Sequence, residues 1–199
     1  MPVAEEAQEQ GRQGVMDVKR WLEATMRFDV RYTVYDQADR VTLPLLNGKP
    51  KRYDAVAQHY RDDPPRTPSG RDVYVEVKTL GSPSSAKKQT SQFREFAATA
   101  YSAMAQAWVL LGRDPDFDFM FATTHPWEVD RHLELTTAAY VEEACAHHAP
   151  LLGQTAYDVA LGATLASHLW IWIIPGRQDE MTMGPAHIGH VWRAIKGAA

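Results

Sequence analysis

The sequence predicts an α/β protein built as a helix, three strands, a helix and a strand, followed by a C-terminal α/β extension. Three observations carry this. Apolar residues recur at helical spacing over residues 4 to 25 and 86 to 111, they alternate with polar ones over residues 28 to 35 and 72 to 80, and Pro and Gly cluster between these stretches. The 199 residues, 45% apolar and 10% aromatic, suffice for one domain with a sizeable core. We read 1–199 as that domain, with a core of about 4–124 and an extension of about 125–199.

The first helix places Val15, Val18, Trp21 and Leu22 at helical spacing. From Phe28 to Tyr35, Val30, Tyr32 and Val34 alternate with Asp29, Arg31 and Thr33, which is strand periodicity. Arg52 to Tyr60 and Asp72 to Leu80 follow as strands, joined by a Pro-rich loop over residues 61 to 71. A loop from Gly81 to Ser85 precedes a helix from about Ala86 to Leu111, which buries Phe93, Phe96, Ala97, Ala100 and Met104. Phe117 to Thr124 is an apolar strand leading to a loop with His125-Pro126-Trp127. A helix from about Leu133 to His148, a buried strand at Leu169 to Ile174 within the apolar run Leu165 to Pro175, and a short helix near Ile188 to Ile195 complete the chain.

Composition narrows the function classes. Lys and Arg number 21 against 25 Asp and Glu, a formal charge of −4, which argues against binding nucleic acid through a general positive field. The acidic, polar N-terminus lacks the basic and then apolar pattern of a secretory signal. The apolar run at Leu165 to Pro175 falls far short of the roughly 20 residues that cross a bilayer, so we expect a cytoplasmic protein with no membrane partner. Cys145, the single cysteine, excludes an internal disulfide and a thiolate zinc cluster, and reads as a small core residue.

The chemistry-bearing pattern lies between residues 54 and 78. Asp54 sits in Lys-Arg-Tyr-Asp-Ala-Val, and Glu76-Val77-Lys78 sits in Val-Tyr-Val-Glu-Val-Lys-Thr-Leu. Alternate strand residues share a face, so Glu76 and Lys78 point the same way, roughly 7 Å apart. A hairpin centred near residue 66 puts Asp54 opposite Lys78 and Val56 opposite Glu76, so that two acids and a lysine converge. Two carboxylates can hold a hard divalent cation, while an ammonium can orient water or offset charge on a phosphate. The plainer reading of the tripeptide is a solvated strand face, with Val73, Val75 and Val77 buried behind it. Lys49, Lys51 and Arg52 before Asp54, and Lys87 and Lys88 after the motif, concentrate basic groups around the same place. They are candidates to hold nucleic-acid phosphates, although short Lys/Arg runs are more often ordinary surface.

On Asp54 and Glu76-Val77-Lys78, within the helix, three strands, helix, strand order, the chain resembles the PD-(D/E)XK nuclease superfamily. That resemblance implies a restriction-endonuclease-like core, a central mixed sheet flanked by helices. It also implies phosphodiester hydrolysis with Mg²⁺ or Mn²⁺ held by Asp54, Glu76 and the Val77 carbonyl, and water positioned by Lys78. Tyr53 stands where the family name has proline, and Val15 follows Gly11-Arg12-Gln13-Gly14 where one branch has glutamate. Glu9 is then the best-facing first-helix acid and Gln92 the matching amide on the second helix, both accessory candidates.

The function expected is a metal-dependent nuclease, with DNA favoured over RNA. The resemblance further suggests a subunit of a defence, restriction or repair system, whose partners are nucleic acid and a protein that supplies targeting; the part beyond residue 125 is open to covering the core, forming a homodimer or binding a partner. The alternative is a catalytically silent nuclease-like interaction module of a larger nucleic-acid-processing assembly. A helix-turn-helix DNA binder is disfavoured, since neither that signal nor a strongly basic face is present. His147-His148 point apart on a helix and chelate poorly. His125, and His187 with His190, lack further ligands nearby, and Trp127, Trp170, Trp172 and Trp192 read as packing residues rather than base-stacking platforms.

Overall fold

The computed structural model describes residues 2–60, 68–78, 86–123 and 132–174. Helix α1 (Pro2–Ala24) leads into β1 (Phe28–Thr33), and a 3-10 turn at Ala38–Val41 opens a small two-stranded sheet of β2 (Thr42–Pro44) and β3 (Pro50–Arg52). Strands β4 (Ala55–Tyr60) and β5 (Pro68–Lys78) follow, then α2 (Ala86–Leu111) and β6 (Phe117–Thr123). The remainder is α3 (His132–Leu135), α4 (Ala138–His147), a 3-10 turn at Ala149–Leu152, α5 (Val159–Ser167) and β7 (Leu169–Ile173).

The main sheet has the order β1-β4-β5-β6-β7. β1, β4 and β5 pair antiparallel, whereas β5, β6 and β7 run parallel, as strands joined by helical crossovers do. The molecule is therefore α/β with a mixed central sheet flanked by helices. One face carries Val30, Ala55, Ala57, Val73, Val75, Met120 and Ala122, and packs on Val18, Trp21 and Leu22 of α1. The other carries Phe119, Phe121 and Leu169 and packs on Phe93, Phe96, Ala97, Ala100, Tyr101 and Met104 of α2, with Val141 and Cys145 of α4 and Leu165 of α5. Trp170 and Trp172 meet Phe28 edge to face, which gives them the packing role expected from sequence. Burial pushes the Cys145 thiol up to about 12, as befits an inert core cysteine.

Several expectations are corrected. The strand read from Arg52 to Tyr60 is two pieces, β3 and β4, because the chain turns between two sheets at Tyr53 and Asp54: Tyr53 N–H donates to Val41 O while Asp54 N–H donates to Val75 O. β5 begins at Pro68, inside the stretch read as a loop, since the paired strand tolerates Pro at its first position. The helix read from Leu133 to His148 breaks at residues 136–137, where Thr137 caps α4 by accepting the Tyr140 N–H. Leu165 to Ser167 belong to α5, capped by Asp158, rather than to a strand. Residues 125–127 and the segment near Ile188 to Ile195 lie outside the described residues. Among the described residues, no helix is long and apolar enough to cross a membrane.

Candidate active site

The site forms where β4 and β5 part company. In the sheet Ala55 pairs with Val75 and Val56 with Tyr74, two residues away from the expected pairing of Asp54 with Lys78 and Val56 with Glu76. The register steps between Gln58, which pairs with Asp72, and Tyr60, which pairs with Pro68. A slip of two preserves which side chains share a face. Asp54 and Glu76 accordingly remain on the same side of the sheet.

A regular antiparallel residue exchanges both backbone bonds with one neighbour. Asp54 instead divides them, donating its N–H to Val75 O of β5 and accepting from Val34 N–H beyond β1, each at 2.9 Å. Its carboxylate then takes over in the ladder, as Oδ2 accepts the Val77 N–H at 2.7 Å. The acid is thus fixed against the middle of the Glu-Val-Lys run.

Glu76 and Lys78 project from β5 toward α2. The reading of this strand face as solvated is excluded, because Glu76 is only 8% exposed. Both its oxygens are engaged: Lys78 Nζ lies 2.7 Å from Oε1 and Lys51 Nζ 2.9 Å from Oε2. Lys51 reaches this position because β3 alternates, so that Lys51 faces inward between exposed Pro50 and Arg52. Its ammonium also lies 5.5 Å from the centroid of the Tyr53 ring. From above, α2 presents Gln92, Glu95, Phe96 and Thr99 at i, i+3, i+4 and i+7, one face of a helix. Together with Lys51, Glu76 and Lys78 they line a cavity of about 200 Å³. Gln89, one turn earlier and fully buried, accepts the Thr123 hydroxyl at 3.2 Å and ties α2 to the end of β6.

Electrostatics show that the two acids sense each other. Burial and then the charge of Glu76 raise the Asp54 carboxyl to about 6, against the opposing effects of the Val77 N–H, Lys78 and Lys51. For Lys78, burial alone would lower the pKa, but the charge and hydrogen bond of Glu76, with Asp54 and Glu95, carry it above its ordinary value. Lys78 is therefore a cation at neutral pH, able to orient water or stabilise negative charge. Two carboxylates on one face supply the hard oxygen donors that suit Mg²⁺ or Mn²⁺. Among the described residues no group of three or more His, Cys, Asp and Glu forms a ready cage. Mg²⁺ is commonly held by one or two carboxylates, with water and substrate phosphate completing its shell, so Asp54 and Glu76 fit such an ion.

The structure brings Asp54, Glu76, Val77, Lys78, Lys51 and Gln92 together. Glu9 is exposed on α1, near enough that its charge, with those of Asp54 and Arg12, is felt at the Tyr35 phenol. Gly11 permits that approach, since a Cβ there would stand 3.3 Å from the Tyr35 hydroxyl. Lys49 and Arg52 are exposed on the β2–β3 hairpin, and Lys88 is exposed early in α2. The side chain of Lys87 lies outside the described residues. Sequence reasoning missed Glu95 and Thr99, although both share the helical face of Gln92, and it missed Tyr35, whose proximity depends on packing of α1. Comparison with known proteins adds nothing to this picture, for no protein-family model, no curated protein and no solved structure matches the chain.

Proposed function

We propose that this protein is a metal-dependent nuclease of restriction-endonuclease-like fold, hydrolysing phosphodiester bonds with DNA as the favoured substrate. The observation that carries the reading is the meeting of Asp54 and Glu76 on one sheet face with Lys78 beside them, beneath α2. The element order helix, three strands, helix, strand and the mixed sheet support it. When bound, Mg²⁺ or Mn²⁺ would polarise the phosphate and make coordinated water a nucleophile at neutral pH. Asp54 and Glu76 would hold the ion, with the Val77 carbonyl as a further oxygen ligand. Lys78, kept charged by its neighbours, would orient the water and offset charge growing on the phosphate. Targeting would come from a partner protein of a defence, restriction or repair system.

The test is cleavage of labelled duplex DNA, single-stranded DNA and RNA by the purified chain, with Mg²⁺ or Mn²⁺ and with a chelator. Cleavage by the native chain that disappears with chelator, and in Asp54→Asn and Lys78→Ala, is expected. Equal cleavage by both variants would remove the assignment. One observation favours a second reading, a catalytically silent interaction module: Lys51 and Lys78 already satisfy both Glu76 oxygens without a metal. Thermal stabilisation by Mn²⁺ that is lost in Glu76→Gln separates the two, because only a protein that binds the ion gains stability from it.

A further inference from the structure

Two ammonium groups converge on one carboxylate, and they are delivered differently. Lys78 is two residues from Glu76 on the same strand, so its distance is set by the strand itself. Lys51 comes from the separate β2–β3 sheet, where it pairs with Leu43. That hairpin is anchored independently. Leu45 is buried in the α2 core, and the Leu46 N–H donates to Ser102 Oγ of α2 at 3.0 Å. Lys51 Nζ therefore reaches the second Glu76 oxygen from a separate sheet and rests above the Tyr53 ring. Charge counting shows what this does. Without a metal, the two ammoniums of Lys51 and Lys78 face three carboxylates, those of Asp54, Glu76 and Glu95, which leaves the site acidic by one charge. A divalent ion that takes a Glu76 oxygen must displace one lysine from it, and leaves the site with an excess positive charge that an anionic phosphodiester can balance.

We propose that Lys51 is a phosphate-anchoring residue that holds Glu76 in the metal-free protein and passes to a non-bridging oxygen of the bound phosphodiester when the cation takes its place. This rests on the nuclease reading and deepens it. The cavity lined by Lys51, Glu76, Lys78 and Gln92 is where that phosphate would sit. The exchange makes substrate binding depend on metal: the charge that recognises phosphate is masked by Glu76 until the ion arrives. It also sets two effects of removing Lys51 in opposite directions. Loss of a competitor for Glu76 tightens metal binding, whereas loss of the anchor weakens nucleic-acid binding.

The experiment uses the full chain with Lys51→Met and Lys51→Arg, each checked by thermal melting. Mn²⁺ alone is titrated by calorimetry, and a labelled oligonucleotide is titrated in Ca²⁺ to prevent cleavage. Lys51→Met is expected to bind Mn²⁺ roughly five-fold more tightly, the scale of one partly screened ion pair, and to bind the oligonucleotide at least several-fold more weakly. Lys51→Arg keeps the charge and should stay near the native values in both. Equal or weaker Mn²⁺ binding by a folded Lys51→Met protein overturns the proposal while leaving the nuclease reading intact. Absence of Mn²⁺ binding by the native chain overturns both.

Discussion

The Asp54 carboxylate accepts the Val77 backbone N–H at 2.7 Å, so the residue through which the chain enters β4 is fastened to the centre of the Glu76-Val77-Lys78 run. This bond has a structural and a chemical side that one substitution can separate. Asn in place of Asp54 retains an acceptor for Val77 but loses the charge a cation needs. Asp54→Asn should therefore fold with the native circular dichroism spectrum and lose metal-dependent cleavage by at least about a hundred-fold, the scale of removing an electrostatic catalytic group. Retained cleavage in an activity assay would show that Asp54 is structural only.

The same carboxyl sets a pH dependence. Its pKa is raised from 3.8 to about 6, first by burial and then by Glu76. Between those values the native protein binds more protons than the unfolded chain, so the stability contributed by Asp54 is complete below about 4 and is lost as pH rises through about 6. The full loss is roughly 3 kcal/mol at most. Denaturant titrations of the metal-free protein across this range should show Asp54→Asn gaining stability relative to the native chain as pH increases. Mn²⁺ must meet a deprotonated ligand, so its stabilising effect should grow over the same interval.

Lys78 is positioned by Glu76 and cannot serve as a base while its ammonium is held above its ordinary pKa. Lys78→Ala leaves Lys51 to neutralise Glu76, so the fold should survive with only a modest loss of melting temperature. Catalysis should not survive. Arg carries the charge in a planar fork of different reach, and Lys78→Arg is expected to leave turnover depressed while preserving Mn²⁺ affinity. Paired turnover and calorimetric measurements on the two variants check this, and full turnover in either would contradict the role.

Much of the sheet could be read from sequence because period-two alternation survives a register error. The pairing of β4 with β5 differs from expectation by two residues, yet Asp54, Glu76 and Lys78 keep their common face. The β2–β3 hairpin was hidden, since three-residue strands containing Pro44 and Pro50 carry no periodic signal. With it was hidden the inward turn of Lys51, which looked like part of a basic surface run. The break at Tyr53 and Asp54 was also invisible, because it depends on backbone partners 12 to 21 residues away in Val41 and Val75. Helix α5 was obscured by its own apolar residues, which run into β7 without a polar interruption beyond Ser167 and His168. Gln92 was found by helical position, whereas the grouping of Glu9, Tyr35 and Asp54 required the packing of α1.

Away from the site, Asp118 of β6 accepts His168 Nδ1–H at 2.6 Å and Trp170 Nε1–H at 3.0 Å, and Arg71 of β5 reaches both Asp118 and the His168 ring. Burial alone would raise the Asp118 carboxyl, but these donors hold it below the usual carboxylate range. The cluster joins β5, β6 and β7 through one acid, on the sheet face opposite Glu76. A lowered pKa gives stability that is present above the unfolded value and lost as pH falls through the folded one. Asp118→Ala should therefore destabilise the protein near neutrality, toward the lower end of roughly 3–5 kcal/mol because Arg71 remains partly hydrated. The deficit should shrink in acid. Asp118 pairs with Val73, three residues before Glu76, and faces the other layer, so Mn²⁺ affinity should be unchanged at temperatures where the variant is folded. Denaturant titration against pH measures the first effect and calorimetry the second; a large change in Mn²⁺ affinity would mean that the two clusters are coupled through β5.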